Sequence, residues 1–338
     1  MGLAIRELNV SLRDYLLSHL RAGLKPMIEY CIAFVNYRKT FSNYITVLMH
    51  RLRNKYPVES VLRNGEFKVL RNFSDIKALL LPLDSKTGYS INYDQVNEIT
   101  TIFLSSGRTG KKNKLILHGG RFDGDIWNIF CNDIYGRVPV KGRTVVDIGA
   151  SIGDSAIYFV LSGANRVVAF EPFPRSYKLA KINIESNNFS DKVTLKMAGC
   201  AANIGSIIID PDYKSNKESQ LSPFASGVKI PLLTLEQILD ENNVEYGSIL
   251  KIDCEGSEYG IILSTPAEIL RRFEYIQIEY HSGYKNLKDK LERSGFRVCV
   301  DSPVAVGYFN MLKQLQHKKI SRVSPHFGYL GYIYAILK

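Results

Sequence analysis

Residues 250–262, LKIDCEGSEYGII, bring Asp253, Glu255 and Glu258 together within six positions, with Lys251 and Asp253 alternating on one strand face. Like charges crowded this way are costly unless something positive or protonic sits among them. The plainer reading is a helix start decorated with acids, which the helix dipole favours. Upstream, Asp147, Gly149 and Gly153 form D-x-G-x-x-x-G, with Ser151 and Asp154 beside them, and Glu171 closes the next apolar run. Glycines at a helix start let backbone N–H groups approach a ligand. An acidic residue at the following strand end, about 20 residues on, suits a ribose diol. A pyrophosphate would require G-x-G-x-x-G instead, and Asp147 would repel it; a cationic ligand is welcome there. Downstream, QIEYHSG supplies Glu279 and His281. A hydroxyl nucleophile needs a general base near neutral pH. Asp253 and Glu255 are the first candidates, followed by His281, whose unperturbed pKa suits the task. Glu279 would orient His281 or bind substrate. Hard cations favour carboxylate oxygens, so Asp253, Glu255 and Glu279 are compatible with a metal. No ligand spacing compels one, and none is expected.

The elements that must position these residues form an alternating series. Residues 144–172 read as strand, glycine turn, helix and strand, a right-handed βαβ unit. A helix over 174–188 follows, with Pro174 in its first turn, then a third strand over 192–197. Gly199 lies just past that strand, at the edge where open α/β sheets bind ligands. Residues 206–209 and 228–233 read as a hairpin joined by a polar loop. Helices are expected over 234–241, 257–272 and 287–294. Strands are expected over 248–253, 274–279 and 296–301, with 329–337 as a buried seventh. This alternation predicts an α/β fold with a seven-stranded, mostly parallel sheet covered on both faces.

Two regions precede this domain, which is set at 140–338. Residues 1–57 read as a helical extension, with Leu16, Leu17, Leu20, Leu24, Ile45, Leu48, Met49 and Leu52 at helical spacing. Such amphipathic helices pack on their own domain or on a second subunit, so an oligomer is left open. Residues 58–139 read as a small β/α accessory region. It has a hairpin at Asn64-Gly65, strands over 99–104 and 114–117, a basic loop over 105–114 and helical spacing over 125–135. The basic loop does not match the phosphate-loop pattern.

The 338 residues carry a net charge of +11. Residues 1–140 hold 20 Lys/Arg against 12 Asp/Glu, so most of the excess lies outside the α/β domain. Such a field attracts nucleic acid, an anionic membrane surface or an acidic glycolipid, or is a solvated basic face. No apolar run is long enough to span a bilayer, which leaves only peripheral membrane contact open. Charges within the N-terminal apolar positions argue against a cleaved signal peptide. The five scattered cysteines contain no C-x-x-C and fit buried, reduced thiols in a cytoplasmic protein.

The glycine spacing followed by Glu171 resembles motif I of the class I methyltransferases. DIGASIGDSA, FEPFP, KIDCEGSE and QIEYH together resemble the FkbM-type methyltransferase family, over residues 142–300. The K-I-D-x-E-G segment is the most particular of these. The resemblance implies a Rossmann-like class I fold, S-adenosyl-L-methionine as methyl donor, and O-methylation of a sugar, glycan or other small polar acceptor. Carried over, Asp147, Gly149 and Gly153 would line the methionine end of the cofactor. Ser151, Asp154 and Gly199 would join the cofactor pocket, and Glu171 would take the ribose. Asp253, Glu255 and Gly256 would lie beside the methyl group. Ser151 stands where the family often has Asn, and Cys254 where it often has Val. A second reading is an RNA methyltransferase using the basic N-terminal region. Against it, no N-P-P-Y-like segment is present, and three carboxylates would face a phosphate backbone. A third is a non-catalytic scaffold that keeps the fold.

Overall fold

The computed structural model describes residues 9–11, 13–15, 17–18, 20, 24, 34–72, 75–76, 79, 87–94, 96–104, 114–120, 123–213, 223–306 and 328–338. The basic loop expected over 105–114 lies almost wholly outside them, as does half of the polar loop after residue 213.

Helix α1 (Tyr44–Leu52) packs beside a hairpin of β1 (Val58–Val61) and β2 (Phe67–Leu70). Asn43 ties them together: its Oδ1 accepts from Val61 N at 2.9 Å and its Nδ2 donates to Glu59 O at 2.9 Å. Tyr37, Phe41, Val47, Val58, Leu62, Leu70 and Ile76 share one small core, so the boundary expected at 57/58 runs through a packed unit. On α1 that core takes Val47, while Ile45, Met49 and Leu52 of the expected apolar face are exposed.

An antiparallel sheet follows: β3 (Ser90–Asp94), β4 (Ile99–Phe103) and β5 (Lys114–His118). Ile102, Leu115 and Leu117 enter the same core as Val145, Ile157 and Val167 of the α/β domain. Residues 127–131 form a wide helical turn, with Asn132 N donating to Trp127 O.

The main sheet begins with β6 (Thr144–Ile148), α2 (Asp154–Leu161), β7 (Arg166–Phe170), α3 (Pro174–Ser186) and β8 (Val193–Lys196). Asn183 on α3 and Asn187 at its C-cap, one turn apart, bond backbone groups of His118 and Ile116 and so dock β5 on the domain. A short β9 (Gly199–Cys200) pairs with the hairpin β10 (Gly205–Ile209) and β11 (Val228–Leu233). Helix α4 (Leu235–Glu241) starts with a capping box between Thr234 and Gln237. Then come β12 (Ser248–Ile252), α5 (Glu258–Ser264), α6 (Ala267–Leu270), β13 (Phe273–Tyr280), α7 (Lys285–Arg293), β14 (Phe296–Val300), β15 (Val304–Val306) and β16 (Gly328–Leu337). The single helix expected over 257–272 is two, because Pro266 cannot supply an N–H to a continuing helix.

The strand order is β14-β16-β13-β12-β6-β7-β8, with β16 antiparallel to both neighbours and the rest of the path parallel. This is the expected seven-stranded, mostly parallel α/β sheet, with β15 paired to β16 beside it. Chain order reverses at β6, which lies between β7 and β12, so a crevice opens beyond the carboxyl ends of these strands. Every residue of β6 and β12 is buried.

Part of the expected N-terminal extension belongs to this domain. Val10 is buried in the core with Tyr280, Leu287 and Tyr329. Asn9 O accepts from Tyr284 N and Lys285 N. Among the described residues, no helix is long and apolar enough to cross a membrane. Cys131, Cys200, Cys254 and Cys299 are free thiols; Cys299 is exposed rather than buried, and Cys31 lies outside the described residues.

Candidate active site

An open cleft lies at the carboxyl ends of β6, β7 and β12. Gly149, Ser151, Asp154, Glu171, Gly199, Asp253 and Glu255 all line it. Gly149 has φ +81°, and a Cβ there would collide with the Asp253 carbonyl oxygen, so glycine alone lets the β6 and β12 termini meet. The turn then folds back on β7: Gly149 N and Ala150 N both donate to Phe170 O at 3.0 Å.

That turn fixes Glu171. Ser151 N donates to its Oε2 at 2.8 Å and Phe173 N to its Oε1 at 2.9 Å. Each oxygen retains lone-pair capacity for a further donor. Burial pushes the Glu171 carboxyl up to about 8, against the pull of those two N–H groups. Asp154 is pushed up to about 7 by burial and then by Asp125, although it accepts from Asp125 N and Ser155 N. Phe173, Ala198 and Cys200 add an apolar wall beside Glu171.

Asp147 and Gly153, expected at the methionine end of a cofactor, are not among the residues that line the cleft. Asp147 is wholly buried and ion-paired to Lys251, Nζ to Oδ1 at 3.0 Å, and Ser155 Oγ donates to its Oδ2 at 2.6 Å. Its charge is therefore answered inside the protein. Lys251 also donates to Gly149 O at 2.7 Å. Burial opposes the lysine charge, yet Asp147, Asp253 and Asp154 outweigh it and raise the pKa. Gly153 serves packing: it has φ +82°, and a Cβ would sit 3.2 Å from Ala180 Cα on α3.

The carboxylates meet at the other end of the cleft. Asp253 leaves β12 with its N–H donating to Ile148 O. Glu258, fully buried, accepts from Gly256 N at 2.7 Å and from His281 N at 3.1 Å. His281 bridges two carboxylates, with Nδ1 2.9 Å from Glu258 Oε1 and Nε2 3.1 Å from Glu255 Oε2. Burial would lower its pKa, but these two partners lift it to about 11. Held between these two carboxylates, His281 is already paired at both ring nitrogens, where the sequence suggested a base for the acceptor. Glu279 does not orient His281; it accepts from Tyr332 Oη at 3.2 Å. Burial, and then the Asp253 carboxylate, hold Glu279 well above the usual carboxylate range. Burial likewise raises Glu255.

Sequence reasoning missed Asp123, Asp125, Tyr135 and Phe173, which also line the cleft. The D-G-D of residues 123–125 was the available signal, but it lies in a region without a strand-helix frame. Its place is set by contacts distant in sequence, with Asp123 O accepting from Ser151 Oγ and Asp123 Oδ2 paired to Arg175.

The sequence profile of the methyltransferase FkbM domain matches residues 147–298. Uncharacterized protein 65 of Sulfolobus islandicus filamentous virus is 31% identical over 74 residues, covering 22% of this chain and 46% of the viral protein. Among solved structures, the methyltransferase FkbM from Methylobacillus flagellatus KT aligns at 16% identity and a TM-score of 0.38, over 59% of this chain and 45% of that one. The METTL16 methyltransferase domain aligns at 15% identity and a TM-score of 0.40, over 85% of this chain and 90% of that domain. This chain spans less than half the length of the viral and Methylobacillus proteins it matches.

Proposed function

We propose, from the premise that residues 147–298 are a methyltransferase FkbM domain, that this chain moves the methyl group of S-adenosyl-L-methionine to a hydroxyl of a glycan, sugar or other small polar acceptor. The observation that carries this reading is Glu171. It is a buried carboxylate at the end of β7, facing the cleft and aimed by two backbone N–H groups. Such a group accepts both hydroxyls of a ribose. The Phe173, Ala198 and Cys200 wall beside it suits an adenine face. At the opposite end Asp253, Glu255 and Asp154 face the cleft and suit a sulfonium. Gly149, Ser151 and Gly199 let backbone approach the cofactor between these ends.

The transfer is an in-line displacement, in which the S–C bond breaks as the O–C bond forms, and alignment supplies much of the rate. The acceptor proton goes to a carboxylate. Asp253 is the group we assign, with Glu255 and Glu279 as its acidic neighbours. Acids lining the acceptor end favour a neutral hydroxyl substrate over a phosphate backbone. RNA remains the second reading, favoured by 20 Lys/Arg against 12 Asp/Glu in residues 1–140. Binding of RNA that falls steeply with salt supports it. Free thiols at four described cysteines support a cytoplasmic setting.

Titration calorimetry with S-adenosylhomocysteine tests the proposal. The wild type binds at micromolar concentration, and Glu171→Ala weakens binding tenfold or more, about 1.4 kcal/mol. Absence of binding to the folded wild type overturns the reading.

A further inference from the structure

We propose that Asp253, Glu255 and His281 form a binding site for one divalent first-row metal ion of the Mn²⁺ type at the acceptor end of the cleft. It deepens the methyltransferase reading and rests on it for the ion's role, though not for the ion's binding.

Each of the three side chains offers a donor atom, and those atoms lie within 4.8 Å of one another. An octahedral ion with bonds of about 2.1–2.2 Å sets adjacent ligands roughly 3.0 Å apart and opposite ligands roughly 4.3 Å apart. His281 Nε2 and Glu255 Oε2 already stand 3.1 Å apart, the spacing of adjacent ligands. Small side-chain adjustments bring Asp253 into the same shell.

An independent feature prepares the histidine. Metal-bound imidazoles donate their second N–H to a carboxylate or carbonyl, which fixes the tautomer and the ring direction. His281 Nδ1 is 2.9 Å from Glu258 Oε1, which also accepts from the His281 backbone N–H. Glu258 is fully buried, and Gly256 N holds its other oxygen. The ring is thus held at its rear, with Nε2 presented to Glu255.

The surroundings suit a cation. Asp253 and Glu255 line the open cleft, and Asp125 is close by. The nearest buried cation, Lys251, is committed to Asp147. Two carboxylate oxygens and one imidazole nitrogen are intermediate in hardness, a set that suits Mn²⁺ better than Ca²⁺. Three protein ligands leave positions for water or acceptor oxygens. A hydroxyl bound there is oriented and loses its proton more readily. The same contacts without a metal would be a proton-bridged pair that merely braces the loop after β13.

Mn²⁺ titrated into the full chain without cofactor, followed by electron paramagnetic resonance, decides between these. The expected result is loss of the free-ion signal at one Mn²⁺ per chain, with imidazole nitrogen modulation in the pulsed spectrum. Asp253→Asn and Glu255→Gln each weaken binding at least tenfold, His281→Gln abolishes the nitrogen modulation, and Asp240→Asn on the far surface changes nothing. Circular dichroism shows which variants fold, and the wild-type nitrogen modulation is informative without them. No binding at millimolar Mn²⁺, no nitrogen modulation, or equal binding by folded site variants overturns the proposal. Cofactor binding is measured separately with metal-free S-adenosylhomocysteine, so failure of one reading is distinct from failure of the other.

Discussion

Lys251→Met tests how the centre of the sheet tolerates charge. Lys251 is 2% exposed and Asp147 0%, and Nζ lies 3.0 Å from Oδ1. Removing the cation leaves a buried carboxylate with the Ser155 hydroxyl as its remaining close partner. Breaking a buried pair from one side costs about 3–5 kcal/mol. The hydrogen bond to Gly149 O, 2.7 Å long, falls inside that figure. For a domain of roughly 200 residues each kcal/mol moves Tm by about 2–4 °C, so the variant melts roughly 6–20 °C lower. Asp147→Asn with Lys251→Met removes both charges, and the neutral amide can still bond Ser155. The double variant should regain at least about 2 kcal/mol of the summed single losses. Urea unfolding followed by circular dichroism, on the wild type and three variants, closes the cycle. A single-variant loss below about 1 kcal/mol, or additive losses, would refute the buried-pair reasoning.

Two further predictions concern titration and docking. Glu171 rises from an ordinary 4.5 to about 8 on burial, so the folded chain holds a proton that the unfolded chain releases between those values. Stability of the cofactor-free chain therefore falls as pH rises through that window, and Glu171→Gln flattens this contribution. Ribose hydroxyls donate to the ionised form, so S-adenosylhomocysteine binds more tightly at pH 8 than at pH 6. At pH 7 binding releases a proton, visible as a buffer-dependent enthalpy in calorimetry. Asn183→Ala leaves His118 N and O without their side-chain partners, whose bonds measure 2.6 and 3.0 Å. That costs about 1–3 kcal/mol and appears as faster amide exchange in β5, with β14 unaffected.

What could be read in the sequence was whatever depends on neighbours along the chain. The β6–α2–β7 unit, the Asn64-Gly65 hairpin, the Thr234 cap and the β10–β11 hairpin follow from local spacing, and the structure has each of them. The FkbM resemblance was legible for the same reason, as its motifs are short and contiguous. Strand β3 escaped notice although S-I-N-Y-D alternates Ile91 and Tyr93 with polar residues; the run is short and none of it is fully buried. Pro266 was a visible break that the expected 257–272 helix overran. The fate of Asp147 could not be read locally. Lys251 is its partner through the register of β12 against β6, strands far apart in sequence that meet only when the sheet assembles. His281 is similar: Glu258, which holds its ring, lies on a helix between β12 and β13. Val10 joins the core only because the chain returns to the loop after β13.

These long-range pairs sort the site's charges into two layers. The inner layer, Asp147 with Lys251, is neutral as a pair and almost fully buried at the cleft floor, which Lys251 lines and Asp147 does not, where an unpaired charge would cost most. The outer layer, Asp253, Glu255 and Asp125, faces the cleft, with Glu279 close behind and His281 bridging Glu255 to Glu258. If Lys251 were not committed to Asp147, its charge would offset more of the outer group. Pairing it inward leaves the outer acids under-compensated. A sheet centre can therefore be dry and stable while the crevice one residue beyond it stays negative. That negative crevice is the feature a sulfonium, a metal ion or an acceptor proton would each exploit, and it exists because K-I-D sets lysine and aspartate two positions apart, one turned to Asp147 and the other to the cleft.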